Sequence, residues 1–596
     1  MTVTLAIREH LKLAHGHGVR IGGILQAKGI STVLLACLVG AVAGVFVTLM
    51  SRTVQMMHAS LFSLPVDVRL SGLLHLSSLA DAVVPVAGGL IMGIAAYFLR
   101  RYRNRPLLDP IEANALYGGR MSLNDTWIVA AQTMISSGFG ASVGLEAGFT
   151  QVGAGLASRL ARALKLRRND VRVLVGCGAA GAIAAAFGAP LTSAFYGFEL
   201  IIGVYSLANV APVMAAAVSA SLMADWLGAE QFPIEVGAML PILPHQYLPF
   251  LLLGAICAFA SIAIMQLVTL VERGFLSIKA PSAVRPLLGG VIIGLLGMIS
   301  PQILSSGHGA MHLYLTMHFS FWAIATVFVL KVLASVVSLG SGFRGGLFFA
   351  SLFLGALLGN MFATLFAIVL PSAGIHTSVA AVVGMTSLAV GVVGGPLTMT
   401  FLALEATRDL SLTGIVLAAA IVSSLVVRSV FGYSFSTWRL HLRGETIRSA
   451  HDVGWMRNLT VRSMMRSDVR TVSENTSLAA FRILFPLGSA QRVIALKDGE
   501  EYAGMIFVPD AHADVSAEGE KQGSVRSLIR FPDTVLIPPM NAKAAADIFE
   551  AAKAEELAVV DSFRTRRVVG LMTEGHLMRR YAEELDKARR DLAGET

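Results

Sequence analysis

Residues 188–199 read Gly-Ala-Pro-Leu-Thr-Ser-Ala-Phe-Tyr-Gly-Phe-Glu, and residues 394–405 read Gly-Gly-Pro-Leu-Thr-Met-Thr-Phe-Leu-Ala-Leu-Glu. The shared pattern, Gly-x-Pro-Leu-Thr-x-x-Phe-x-x-x-Glu, recurs at an offset of 206 residues. A weaker pair keeps the same order: Gly144-Leu145-Glu146-Ala-Gly148 aligns with Gly346-Leu347-Phe348-Phe-Ala350 at an offset of 202, and Gly-Ala follows at 153 and at 355. Two matches in one order imply a duplicated fold, with repeats at about 80–225 and 285–430. After the first-half motif come Arg159, Arg162, Lys165, Arg167, Arg168 and Arg172, whereas the counterpart, 361–378, has no Lys, Arg, Asp or Glu. Basic flanks stay cytoplasmic. The halves should therefore be inverted, with a site at their interface near the membrane midplane.

The composition agrees with a membrane body. The chain has 596 residues, 14% charged and 55% apolar, with a mean hydropathy of +0.68. Of its 85 charged residues, 42 crowd into 451–596. The expected organisation is a cytoplasmic segment 1–30, a membrane domain 31–445 and a soluble domain 455–596. A secreted enzyme, a nucleic-acid-binding protein and a disulfide scaffold are excluded as main readings. The net charge of +9 is what basic flanks of apolar spans supply. Cys37, Cys177 and Cys257 lie in apolar runs without metal-ligand spacing.

The uncharged run 31–50 is long enough to cross about 30 Å of hydrocarbon and starts too late for a signal peptide. The run 82–99 ends in Arg100, Arg101, Arg103 and Arg105, which should be cytoplasmic, as should the N-terminus; the expected location is the cell's inner membrane, with the C-terminus cytoplasmic too. Between the basic clusters only 126–145 reads as an ordinary span. The leg 109–124 is polar and short, which predicts broken or re-entrant helix. Further apolar runs cover 173–198, 201–223, 248–268, 287–299, 321–337, 347–370, 379–393 and 415–427.

Each weaker motif sets glycines just before a new helical run: 144–148 ahead of 149–160, and 340–346 ahead of 347–358. A helix that starts inside the membrane aims its free N–H groups and dipole at the protein centre, and two such starts make an anion site. The same glycines also suit plain tight packing. Glu146 favours the site, because an ionisable group in an uncharged stretch is expensive there. Its carboxylate can occupy the anion position, then protonate and swing away, acting as gate and as proton carrier.

Residues 142–148 (Ser-Val-Gly-Leu-Glu-Ala-Gly) resemble the Gly-Lys/Arg-Glu-Gly-Pro motif of the CLC chloride channels and chloride/proton antiporters. Residues 340–350 are similar to that family's Gly-Ser-Gly-x-Pro-Gly-Gly-Ile-Phe-Ala-Pro segment, and Gly188-Ala-Pro190-Leu to its Asn-Ala-Pro-Leu stretch. The resemblance covers about 30–445. It implies an all-α polytopic membrane protein with inverted repeats and broken helices. It also implies a homodimer with one pore per subunit, chloride as the transported ion, Glu146 as the gating glutamate, and an anion site at Gly144, Leu145, Gly346, Leu347 and Phe348.

The sequence departs from that pattern at three positions. Leu107 stands where the family's pore serine belongs, Ser436 replaces the inner tyrosine, and Leu200 replaces the second glutamate of a pair whose first is Glu199. These losses lean the reading toward channel-like, uncoupled conduction, with a chloride/proton antiporter as the alternative. Arg344 replaces a family proline and either draws anions inward or pairs locally. Lys331 is expected to snorkel from a span end. Glu199 and Glu405 either satisfy helix ends or carry protons, and Arg408 should pair with Asp409. His308 and His312 fall in a loop. A cation or organic-solute carrier, or a membrane receptor or enzyme using Glu146, remains open, although no nucleophile–base pair or metal cluster supports an enzyme.

From 461 the soluble part reads as a lead segment 461–465, strand 469–472, helix 478–484 and strands 492–496 and 503–508. It then repeats as 525–529, 535–537, helix 542–552, strands 557–560 and 567–572 and a closing helix. This α/β tandem resembles a pair of CBS domains. Asp510 and Thr573 each keep part of that family's nucleotide signature, so adenine-nucleotide binding and a purely structural role both stand; no other cofactor and no metal are expected.

Overall fold

The computed structural model describes residues 29–76, 78–103, 106–229, 244–277, 281, 283–371, 374–443, 459–497, 499–513 and 523–593. Most of the segment 1–30 lies outside them. The chain divides into two compact units, Met1–Asp452 and Val453–Thr596.

The first unit is helical. Its first half contains α1 (Gly29–Leu61), α2 (Val83–Tyr102), α3 (Pro110–Tyr117), α4 (Leu123–Gly138), α5 (Glu146–Ala163), α6 (Arg168–Phe187), α7 (Pro190–Tyr196) and α8 (Leu207–Trp226). The second half contains α9 (Tyr247–Ser277), α10 (Val284–Ile299), α11 (His308–Thr316), α12 (Phe321–Ser341), α13 (Phe348–Val369), α14 (Thr377–Val393), α15 (Pro396–Thr407), α16 (Leu410–Val430) and α17 (Phe435–Leu442). Among the described residues, eight stretches are long and apolar enough to cross a bilayer. The run 126–145 is not one continuous span: α4 stops at Gly138 and α5 starts only at Glu146. Composition alone hides that break, because the connecting residues are as apolar and as buried as the helices.

The quoted motifs are breaks of matching design. α6 ends at Gly188 and α14 at Gly394, both left-handed (φ 64° and 92°), a conformation glycine adopts without strain. Pro190 and Pro396 then open α7 and α15 at the first turn, where a missing N–H costs nothing. The glutamates that close the motifs are exchanged between halves. Glu199 accepts hydrogen bonds from the N–H groups of Leu397 (3.0 Å) and Thr398 (2.8 Å) and from the Thr398 hydroxyl (2.6 Å). Glu405 accepts the equivalent three from Leu191, Thr192 and the Thr192 hydroxyl, at 2.8, 2.8 and 2.5 Å. Phe195 stacks on Phe401 with ring centroids 4.1 Å apart. When residue i caps j and the counterpart of i caps the counterpart of j, the two elements are related by a pseudo-twofold axis.

The other repeated feature is close approach. A side chain at Gly153 would run into the Gly178 carbonyl, and one at Gly355 into the Gly384 carbonyl. α5 thus packs on α6 as α13 packs on α14, and the Gly-Ala pairs that follow the site motifs serve packing.

The second unit is α/β. α18 (Val461–Met464) precedes β1 (Thr471–Ser473), α19 (Leu478–Leu484), β2 (Arg492–Lys497), β3 (Glu501–Phe507) and α20 (Val508–Ala513). β1 pairs parallel with β2, and β2 antiparallel with β3. The order recurs with α21 (Ala542–Ala552), β4 (Glu556–Val560), β5 (Val568–Thr573) and α22 (Glu574–Ala593), and Leu536 bridges in parallel to Val559 where β1 has its counterpart. The segment 525–529 forms a short 3₁₀ turn, Val525–Leu528.

Candidate anion pathway

The centre of the first unit is built from two helix starts. Gly144 and Gly346 form an isolated antiparallel bridge, and α5 and α13 begin just beyond it. Neither helix has a side-chain N-cap, so first-turn N–H groups of both are left for whatever lies between them. In the structure that is Glu146. It is buried, its carboxylate lies against its own backbone N–H and that of Phe349, and its Oε2 has no hydrogen-bond partner. The carboxylate thus lies at the start of the other half's helix with one oxygen unsatisfied.

Lys331 does not snorkel. It sits midway along α12, fully buried, and its Nζ donates to the carbonyl oxygens of Ile303 (3.0 Å) and Ser305 (2.9 Å). The turn before α11 supplies the acceptors that water would supply at a span end. The Lys331 charge acts on Glu146 without forming an ion pair among the described residues.

On one side of Glu146 opens a cavity of about 150 Å³. Of the expected site residues, Glu146, Gly346, Leu347, Phe348 and Ser436 line it. Gly144 lies in the bridge, and Leu145 lines a separate, smaller pocket of about 30 Å³ with His58, Arg69, Ser305, Ser306 and His308. Leu107 is buried and absent from the lining of either. The adjoining carbonyl of Leu108 is tied to Gln151 at 3.0 Å. Tyr433 is directed away, to His441 Nδ1 at 3.1 Å. Tyr196, Arg344, Arg439, Arg443 and Asp109 also belong to the larger cavity's polar wall. Tyr196 was legible only as a spacer inside the repeated motif, and Arg439 carried no signal beyond its place in the last helix.

Other assignments shift. Glu199 and Glu405 spend their carboxylates on helix ends. Asp409 caps α16 through Ser411 and Leu412 (2.8 and 3.2 Å) rather than pairing with Arg408. His308 is not in a loop: it opens α11, stacks on Phe349 at 3.6 Å and bonds Ser306 through Nδ1. His312 lies exposed on the same helix. In the second unit Asp510 is held by Arg530 at 2.6 Å, and the Thr573 hydroxyl accepts from His576 N–H at 3.3 Å.

The family model for voltage-gated chloride channels matches residues 88–428. A ClcB-like protein of Ralstonia nicotianae is 30% identical over 366 residues, 59% of this chain and 82% of that protein. The voltage-gated ClC-type chloride channel ClcB of Salmonella typhimurium is 25% identical over 400 residues, 67% of this chain and 96% of that protein. In fold, the chain is similar to a slow cyanobacterial Cl⁻/H⁺ antiporter (TM-score 0.61, 21% identity, 69% of this chain and 97% of the other). It is also similar to a eukaryotic CLC transporter (TM-score 0.55, 15% identity, 93% and 98%). With the family model matched over most of the helical unit and the paired helix starts at its centre, the chain belongs to the voltage-gated chloride channel (CLC) family.

Proposed function

We propose that this protein passes chloride across a membrane through the site between Gly144 and Gly346, that Glu146 gates it, and that the flux is not tied to protons. The observation that carries this reading is the Glu146 carboxylate lying at the uncapped start of α13 with Oε2 unpartnered. A group that mimics the anion at its site is a gate by competition, and protonation removes the mimicry. Uncoupled passage is supported by the absence of a free relay: position 200 is leucine, and Glu199 is engaged three times as a helix cap. The same reading takes the protein as a homodimer with one pore per subunit, in the inner membrane with both termini cytoplasmic. The C-terminal unit is then a CBS-like regulatory pair, and nucleotide entry there competes with the Arg530–Asp510 pair.

Proton-coupled exchange is favoured by one observation. Tyr196 places an aromatic side chain on the cavity wall beside Thr150, which returns part of the constriction lost at Ser436. Chloride efflux from liposomes, with and without an imposed proton gradient, separates the readings. Efflux that proceeds equally in both supports conduction, and efflux that drives protons uphill supports exchange.

A further inference from the structure

The larger cavity has a second cationic feature that the gate does not use. Arg344, in the connection ahead of α13, and Arg439, on α17, both line it, and the Arg439 charge acts on Arg344. Three basic side chains face this space, but they are not equivalent. Arg443 is paired with Glu112 at 3.1 Å. The Asp109 carboxylate, also on the wall, accepts the N–H of Glu112 on Oδ1 at 2.7 Å as the cap of α3. Among the described residues, neither Arg344 nor Arg439 has an acid within ion-pair distance or an acceptor for its guanidinium. Arg344 is held through its backbone N–H by the Ser136 hydroxyl, and Arg439 rests over the Phe435 ring at 5.9 Å. Asp109, Glu112 and Glu272 act on them only at longer range.

Two partly buried guanidiniums on one wall, with their N–H donors uncommitted, require acceptors from whatever fills the cavity. At about 150 Å³, the space far exceeds the roughly 15 Å³ that a single water needs, so it takes a polyatomic ion or a hydrated one. A guanidinium fork matches two oxygens of a planar anion at once, whereas a spherical halide uses the fork poorly. Ser436 adds a hydroxyl on the same wall.

We propose that Arg344 and Arg439 form an anion site of their own in this cavity, separate from the position held by Glu146, and that the site favours a planar oxyanion of the nitrate or hydrogencarbonate class over chloride. The site loads the pathway from the Arg439 side and sets which anion reaches the gate. This rests on the anion-transport reading, since the cavity leads to Glu146.

The test uses purified full-length protein and two probes, nitrate and chloride, in equilibrium titration and in liposome efflux. Wild-type protein should bind nitrate about tenfold more tightly than chloride. The Arg344→Gln/Arg439→Gln double variant should bring that ratio close to one. Arg344→Lys keeps the charge and removes the fork, so it should lose nitrate preference while keeping chloride binding, which separates recognition from misfolding. Equal binding of the two anions by wild type, or a ratio unchanged in both variants, overturns the proposal even where chloride efflux is intact. Absence of any anion binding and efflux in wild type removes the transport reading first, and this site with it.

Discussion

Gly144 and Gly346 exchange both backbone hydrogen bonds, Gly144 N–H to the Gly346 carbonyl at 3.0 Å and Gly346 N–H to the Gly144 carbonyl at 3.2 Å. The bridge joins positions that the sequence repeat had already matched, and it fixes the spacing of the two helix starts that follow. Glu146 and Phe348 are the first helical residues beyond it. The Glu146 carboxylate therefore belongs to one repeat, and besides its own N–H it faces that of Phe349 in the other.

Replacing that carboxylate is the simplest perturbation. Glu146→Gln keeps the shape and removes the charge, so the variant should conduct chloride at a rate independent of pH, while wild-type conduction rises as pH falls. Efflux measured across a pH series checks this. A wild-type pH response retained in the variant would show that another group gates.

The exchanged glutamates make a prediction about stability. Glu199→Ala leaves the N–H groups of Leu397 and Thr398 without their acceptor, and Glu405→Ala does the same to Leu191 and Thr192. Each should cost about 1–3 kcal/mol and lower the midpoint of thermal unfolding, to a comparable extent in the two variants. A proton-carrying role for Glu199 would instead change proton movement with the melting midpoint unaltered.

The repeats were legible because their breaks need particular chemistry: a left-handed residue, a proline at the next helix start, and a glutamate to satisfy the partner's N–H groups. Glu146 was legible for a similar reason, as a charge where charges are costly. What the sequence could not show is which wall a side chain faces. Tyr196 and Arg439 reach the cavity because of how α7 and α17 are rotated, and no local pattern records that rotation. Lys331 was misread because snorkelling presumes a nearby interface, whereas the carbonyls that hold it come from a turn 26 to 28 residues earlier in the chain. The 126–145 run reads as one span because apolar composition does not register the helix break after Gly138.

Lys331 should matter to anion binding through its charge. Lys331→Met removes a buried cation near the Glu146 position and should raise the chloride concentration for half-maximal flux by about threefold to tenfold, the scale of a unit charge at moderate effective dielectric. Lys331→Arg should restore most of the loss. An unchanged concentration dependence in a well-folded Met variant would confine Lys331 to holding Ile303 and Ser305.

Ser436 lines the cavity where a larger side chain would narrow it. Ser436→Tyr should slow chloride efflux several-fold without altering its response to pH. An unchanged rate would mean that the narrow point of the pathway lies elsewhere, with Tyr196 the next residue to vary.

The central claim is that chloride passes a Glu146-gated site without proton exchange, and the reversal potential tests it most directly. With purified full-length protein in a planar bilayer under a fixed chloride gradient, the account predicts a reversal potential that follows chloride alone and stays put when a pH gradient is added. A reversal potential that moves with the pH gradient in fixed proportion would contradict it and establish coupled exchange.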